Sequence, residues 1–461
     1  MKQSLGARTA ALYERLRASR GAMALFALVV TVCWMLTRLD AYTELVQSKR
    51  QQTMAGFGIL LSAATAPSRH FPWRGDATAA GAYEAQGDVF RDFRPFANKG
   101  FTETWPIYTE KGILFPIRIL SRYFGAPASA TSLVAVQLVL DLLVTYGICL
   151  LLWRWGGPVA AMPGGLYYAL SKAAAAAATF PFYYYWPIAF GIVLCLAADV
   201  AARRGRLDRA STAAVFGVIL AYWLLFRSTA VLIPFAIAAA LLLSGTRLRR
   251  VAAMFAVIVA IELLPQALLS LGAPREDSLT LGRGNMWHAL YLGIGTRPNP
   301  YGIVFSDSYA ANMVESRYGI SFQAPGYELA LRREYLNIVR TNPGLILRNT
   351  FWNFLDAMRG WSLPKARADV GPVLGIFGVL GLVLVLVRRT DMTFPVALAM
   401  MVWVVQCLTL AIILRPQEGY LWETVGIRVL AGFAGFGLGF EWLIERLTRL
   451  RRGFAVEGKL A

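Results

Sequence analysis

The chain has 461 residues, 57% of them hydrophobic and 16% charged, with a mean hydropathy of +0.50. A soluble domain carries about 45–50% apolar residues and about 25% charge, so this balance excludes a soluble globular protein and indicates a polytopic membrane protein. The formal net charge of +19 calls for no nucleic acid, because Lys and Arg concentrate in the cytoplasmic loops of membrane proteins.

Lys2, Arg8, Arg15, Arg17 and Arg20 precede a first apolar run over 23–36. No small-residue cleavage site follows it, so it reads as an uncleaved anchor with a cytoplasmic N-terminus. Residues 38–128 form the first expected extracytoplasmic region. A charged, helix-like piece over 40–50 leads to an apolar piece over 54–64, too short to span and expected at the membrane interface. The stretch 87–125, GDVFRDFRPFANKGFTETWPIYTEKGILFPIRILSRYFG, is too polar to cross a bilayer and too aromatic for a spacer. Asp88 and Asp92 stand four residues apart, a spacing that on a helix puts them on one face, with Glu84 a turn earlier. Trp105-Pro106 marks a turn, Tyr108-Thr109-Glu110-Lys111 ends in an adjacent acid and base, and 113–124 is amphipathic.

Further spans are expected at 131–153, 159–178, 187–201, 211–226, 230–243 and 251–271. The aromatic cluster 180–186 reads as a membrane interface. Arg203, Arg204, Arg206 and Arg209, then Arg247, Arg249 and Arg250, mark the cytoplasmic side. A second extracytoplasmic region runs over 272–369, and spans at 370–387, 393–414 and 427–444 precede a basic tail. Ten spans place both termini inside and both long regions outside. The halves show no inverted repeat, which weighs against a transporter.

A carboxylate at the outer face suits removal of a proton from an acceptor hydroxyl. Asp88 and Asp92 are the candidates, with Asp40, directly after the first span, as the alternative; the pair equally suits an ion cluster with Arg91 and Arg94. Lys111 offers a point charge to a phosphate, or pairs with Glu110. Arg227, between two tightly connected spans, is costly in lipid and faces a cavity or pathway unless it snorkels. Arg428, at the mouth of the last span, meets a phosphate or anchors lipid. Trp287 and His288, followed by the Asn299–Asp307 stretch, suit sugar stacking and hydrogen bonding, or any ordered loop. Asp141 and Glu262 lie inside spans and are expected to face the bundle. The four cysteines and two histidines lack metal-ligand spacing, so no metal and no cofactor is expected.

On these residues the stretch Gly87–Gly125 resembles the C-type (GT-C) glycosyltransferase superfamily, which includes lipid A aminoarabinose transferases and protein O-mannosyltransferases. Asp88, Phe93 and Ala97 are similar to that group's acidic first-loop motif, with the aromatic one residue later, and either Asp88 or Asp92 fits the base. Tyr108-Thr109-Glu110-Lys111 resembles the segment that holds the donor phosphate in the aminoarabinose transferases. Val134–Leu143 resembles their second span, Leu224–Thr229 the arginine-bearing close of their fifth, and Arg340–Gly344 the helix before their last spans. The resemblance implies an all-α membrane domain of about ten helices over 1–461. It also implies an integral membrane glycosyltransferase in the inner (plasma) membrane, its site facing the periplasm or exterior. The donor would be a polyprenyl-phosphate-linked sugar, the acceptor a lipid, glycan or protein, and the reaction a single inverting displacement. The competing classes are an O-antigen polymerase or ligase, which relies on Arg and His of a late loop, and a transporter or flippase of lipid-linked sugars. Neither requires the early acidic loop.

Overall fold

The computed structural model describes residues 19–49, 57–65, 74–86, 88, 90–97, 104–106, 111–181, 183–271, 286–322, 326–360, 371–388, 391–413 and 418–457. Apolar runs that must satisfy their backbone without water close it into helices. Helix α1 is Arg20–Lys49. It joins the expected anchor to the charged piece 40–50 without a break, because no Gly or Pro follows Gly21 within it. The first loop region holds α2 (Phe57–Thr65), β1 (Arg74–Asp76), α3 (Ala77–Glu84), β2 (Thr104–Pro106) and α4 (Leu114–Tyr123). The two short strands pair antiparallel, with Gly75 opposite Trp105. Asp76 then caps α3, accepting from the N–H groups of Thr78 and Ala79 at 3.0 and 3.1 Å.

Helix α5 (Ala130–Leu170) carries the second expected span and most of the third in 41 residues. It bends at Gly157, where φ is 65° and ψ −166°. Glycine takes that backbone at little cost, and Pro158 has no N–H to continue the ladder. Helices α6 (Lys172–Thr179), α7 (Trp186–Arg203), α8 (Ala210–Phe226), α9 (Ile233–Leu243) and α10 (Leu248–Leu271) follow. The second loop region contributes α11 (Met286–Ile294), α12 (Asp307–Tyr318), α13 (Tyr327–Thr341) and α14 (Pro343–Arg359). Helices α15 (Gly371–Arg388), α16 (Thr393–Ile413), α17 (Glu418–Trp422) and α18 (Val425–Glu457) complete the chain.

Within the described residues the expected spans fall on helix, the second and third sharing α5 and the third continuing into α6. Among the described residues six helices are long and apolar enough to cross a bilayer, and the apolar pieces Ala210–Phe226 and Thr229–Leu243 are shorter. The protein is an all-α polytopic membrane protein whose described residues include one two-stranded ribbon.

A main core of Trp155, Trp223, Ile237, Trp403 and Leu430 binds the bundle together. A second core fuses the first loop region to it: Leu61, Tyr83, Phe93, Ile113 and Ile117 pack with Trp186 of α7 and Phe226 of α8. The apolar piece 54–64, described from Phe57 onward, packs against the loop region. Its α2 buries Leu60, Leu61, Ala63 and Ala64, because Ser62 accepts the Asp76 N–H at 2.8 Å and Glu84 accepts the Gly58 N–H at 3.0 Å. Within the 180–186 cluster Tyr185 and Trp186 are buried, and Trp186 stacks on Phe226 with centroids 4.1 Å apart.

Candidate functional site

The acidic stretch is a chain of turns. Asp88 Oδ1 accepts the Phe90 N–H at 3.0 Å, and Asp92 Oδ1 accepts the Arg94 N–H at 3.1 Å. Both carboxylates thus fold back onto the backbone two residues on, as Asp does outside helices, and Pro95 directs a short 3-10 turn, Arg94–Phe96. The shared helical face expected for Asp88 and Asp92 is therefore not formed. Asp92 is a clasp. Its Oδ1 also accepts the Ala128 N–H at 3.0 Å, its Oδ2 takes Arg94 Nε at 2.7 Å, and Arg94 Nη1 reaches the Gly125 carbonyl at 3.1 Å. Burial raises the Asp92 carboxyl, but the Arg94 side-chain and backbone bonds, the Ala128 bond and the Arg94 charge outweigh it and hold the group below the usual carboxylate range. Arg91 donates to Gln86 at 3.3 Å rather than to Asp88. Tyr83 anchors the turns from below, edge-on to Phe93 and Phe96, with its hydroxyl donating to the Arg91 carbonyl at 3.1 Å. Asp40 lies exposed on α1 beyond the buried Arg38.

Tyr108 and Glu110 lie outside the described residues, and Lys111 is described by its backbone, at the start of the 3-10 turn Lys111–Ile113. The next residue, Gly112, rests on Phe226: a Cβ there would stand 2.4 Å from the ring, so only glycine lets the turn sit so close. Phe226 ends α8, and Arg227 follows with extended backbone (φ −154°, ψ 121°). The Lys111 turn and Arg227 thus flank one contact, although they are far apart in the chain.

Arg227 does not snorkel. It is 7% exposed, in contact with the buried Glu423 at 2.7 Å, and its guanidinium lies over the Tyr420 ring at 5.0 Å. The Arg227–Glu423 pair is an ion pair by distance; the Nε–H is not aligned on Oε1. Tyr420 and Trp422 meet Tyr184 edge-on, both at 5.8 Å, which ties α17 to the 180–186 turn. Arg428, 2% exposed in the first turns of α18, is too buried to anchor lipid headgroups. Glu423 was not singled out from sequence; the signal was an acid in a short link between spans, opposite an arginine in another such link.

A second buried pair lies deeper in the bundle. Asp141 Oδ2 accepts from Arg38 Nε at 2.9 Å and Trp34 Nε1 at 2.7 Å, and its Oδ1 accepts from the Tyr168 hydroxyl at 2.8 Å. Arg38 Nη1 also donates to the Ala169 carbonyl, in the last turn of α5. Asp141 and Glu262 both face the bundle, as expected, at 0% and 1% exposure.

Trp287 and His288 are engaged within the second loop region. His288 Nδ1 stands 2.9 Å from the Tyr327 hydroxyl and Nε2 3.0 Å from Asp307 Oδ1. The consistent assignment is Nε2–H donating to Asp307 and the Tyr327 hydroxyl donating to Nδ1. The bond from His288 holds the Asp307 carboxyl below its usual range, against a smaller opposing effect of burial. The Trp287 ring lies under Arg332 at 5.4 Å and beside Tyr335 at 6.1 Å. One histidine therefore pins α11, α12 and α13 together, as an ordered loop region would.

No family model and no curated protein matches the chain. Among solved structures it is similar to the oligosaccharyltransferase AglB from Archaeoglobus fulgidus in complex with an inhibitory peptide and a dolichol-phosphate, at 12% identity, over 92% of this chain and 51% of that one, with a TM-score of 0.46. The apo form of the Archaeoglobus fulgidus oligosaccharyltransferase is similar at 12% identity, over 94% and 52%, with a TM-score of 0.47. ArnT from Cupriavidus metallidurans bound to undecaprenyl phosphate is similar at 16% identity, over 91% and 78%, with a TM-score of 0.35. The chain spans about half the length of the archaeal structures.

Proposed function

We propose that the chain is a membrane glycosyltransferase that moves a sugar from a polyprenyl-phosphate-linked donor to an extracytoplasmic lipid, glycan or protein acceptor, with inversion at the anomeric carbon. The observation that carries this reading is the packing of Gly112 on Phe226, which supports one grip for an anionic headgroup formed by Lys111 and Arg227. A cation pair suits the charge that develops on a departing phosphate, and electrostatic stabilisation of that kind is commonly the largest catalytic contribution. Arg428 and the Tyr108-Glu110 segment complete the proposed donor site. Nucleotide sugars are cytoplasmic, so an outward site fits a lipid-linked donor, and membrane lipid would reach it from the side.

Asp88 is the proposed base. Among the described residues one backbone N–H, that of Phe90, bonds its carboxylate, whereas both oxygens of Asp92 are committed to the clasp. Asp40 is the second candidate. His288, on which a polymerase or ligase reading leaned, has both ring nitrogens engaged, which favours the transferase.

Transfer from a synthetic polyprenyl-phosphate sugar tests the assignment. A general base contributes roughly 10²–10⁴-fold, so Asp88→Asn is expected to lose transfer by that factor while donor binding survives. Full activity in Asp88→Asn with collapse in Asp40→Asn moves the base to α1; full activity in both removes the enzymatic reading of this loop.

A further inference from the structure

We infer that, whatever reaction the protein performs, helix α14 dips into the lipid bilayer, with Leu347, Phe351 and Trp352 against phospholipid acyl chains and Arg348 at the lipid phosphates. The second loop region, expected outside over 272–369, then holds one helix inside the membrane.

A helix covered by water turns its polar residues out and its apolar residues in. Helix α14 does the reverse. Asn349, Asn353 and Asp356 are buried, together with Leu345 and Ala357, whereas Leu347, Phe351 and Trp352 are 71%, 55% and 43% exposed. The buried polar groups are spent on the end of α11 and the residues after it. Asn349 Nδ2 donates to the Ile294 carbonyl at 3.1 Å, Asn353 Nδ2 donates to Thr296 Oγ1 at 3.2 Å, and Asp356 pairs with Arg297. The polar side thus faces protein, and the apolar side faces the surroundings of the bundle.

The neighbours of α14 set its depth. Helices α15 and α16 are both long and apolar enough to cross a bilayer. They run antiparallel from an end at which Thr393 Oγ1 donates to the Val385 carbonyl at 3.1 Å, and Gly378 lies beside Met400 and Trp403. At the other end Gly293 of α11 lies near the Ile412 carbonyl, so Asn349, bonded to the next residue of α11, stands beside the last turn of α16. From there α14 runs into the bundle. Ala357 belongs to the main core, and Phe354 and Met358 pack against it. The Arg359 carbonyl lies so close to Gly371, the first residue of α15, that a side chain there would collide with it. At 1.5 Å per residue, Gly371 falls about 5 Å short of the level of Ile412. Helix α14 therefore ends alongside spanning helices and not above them.

At this level the surroundings of a spanning bundle are lipid. Val373 and Ile376 of α15 and Leu408 and Ile412 of α16 are exposed there, and the open side of α14 adds to the same apolar belt. Arg348 is exposed on that side, about a turn nearer the loop end than Phe351 and Trp352. A long arginine stem reaches the headgroup layer from such a place, and a guanidinium bonds phosphate oxygens well. An apolar band topped by one arginine matches acyl chains topped by phosphates.

The test is covalent labelling of the full-length protein in phosphatidylcholine vesicles. One arm uses phosphatidylcholine with a photoreactive group in its acyl chain, a second carries the group on the headgroup, and a third generates hydroxyl radicals in the water. The acyl-chain reagent is expected to label Leu347, Phe351 and Trp352 about as strongly as Val373 and Ile376 of α15, and severalfold more strongly than Phe322, an exposed aromatic of the second loop region. Hydroxyl radicals are expected to oxidise Phe322 and to leave Phe351 and Trp352 severalfold less modified. Oxidation of Phe351 and Trp352 to the level of Phe322 overturns the inference and places the helix in water. Protection of both residues without lipid labelling also overturns it and assigns the face to a protein contact. The headgroup reagent is expected to label the turn that carries Arg348; labelling absent from that turn overturns the phosphate contact.

Discussion

The Arg38–Asp141 pair and the Arg227–Glu423 pair are both buried arginine–carboxylate contacts between distant parts of the chain, yet they are built differently. Asp141 accepts three hydrogen bonds at 2.7–2.9 Å, and its arginine spends another donor on a carbonyl in the last turn of α5. Every strong acceptor direction there is spent on joining α1 to α5 and to its returning leg. The Arg227 pair touches at 2.7 Å without an aligned Nε–H bond, and it sits at a loop junction beside the Lys111 turn. A saturated buried pair holds helices together. The Arg227 pair instead joins two links between helices, beside the backbone turn that packs on Phe226.

The largest effect is expected at the saturated pair. Removing one partner of a buried ion pair costs about 3–5 kcal/mol, because the other charge is left uncompensated. Asp141→Leu should therefore lower the thermal unfolding midpoint in detergent sharply. Arg38→Met combined with Asp141→Leu should recover much of the loss, since replacing both members by apolar groups is often neutral. A double variant no more stable than Asp141→Leu would show that Trp34, Tyr168 and the Ala169 carbonyl, rather than charge, dominate the cluster.

The next effect separates the pairs by what they bind. Loss of a charge-assisted contact costs about 1.5–3 kcal/mol, or about ten- to a hundredfold in Kd. Lys111→Ala and Arg227→Ala should each weaken polyprenyl phosphate binding by that amount, whereas a folded Arg38/Asp141 double variant should bind as wild type does. If Arg227→Ala binds normally, the second pair is as structural as the first and the comparison collapses.

The sequence made the apolar segments legible because long apolar runs have one solution in lipid, but it did not show that the second and third expected spans share the bent helix α5 or that six of the described helices are long and apolar enough to cross a bilayer. It also exposed Arg227 and the Asp141 position, since charges inside apolar runs stand out. Pairing was hidden. Arg38 sits near the margin of its span, where a basic residue is ordinary, and its partner is 103 residues away. Glu423 is one acid in a short polar link, unremarkable until the fold sets Arg227 beside it. The Asp88/Asp92 face was misread for a local reason: an i,i+4 spacing describes a face only if the helix forms, and here Asp side chains bonding their own backbone win. His288 shows a further limit, because spacing cannot say whether both ring nitrogens are taken.

The smallest expected effect is at the Asp92 clasp, where the pair is partly exposed and screened. Its carboxyl is held below the usual range, burial being outweighed by the Arg94 and Ala128 bonds. A group depressed in the folded state contributes stability above its unfolded value of about 3.9, and that contribution is lost as the pH falls through the folded value. Hydrogen-exchange protection over residues 88–97, taken relative to the intrinsic rate at each pH, should therefore stay high at neutral pH and fall only below about pH 4. Asp92→Asn keeps an acceptor for the Arg94 and Ala128 N–H groups but gives up the charge on Arg94. It should exchange moderately faster at neutral pH, with the acid dependence flattened, and it should lose far less transfer than Asp88→Asn. Transfer abolished in Asp92→Asn with loop protection unchanged would make Asp92 the base, and the Arg94 pair would then be the device that keeps that base ionised.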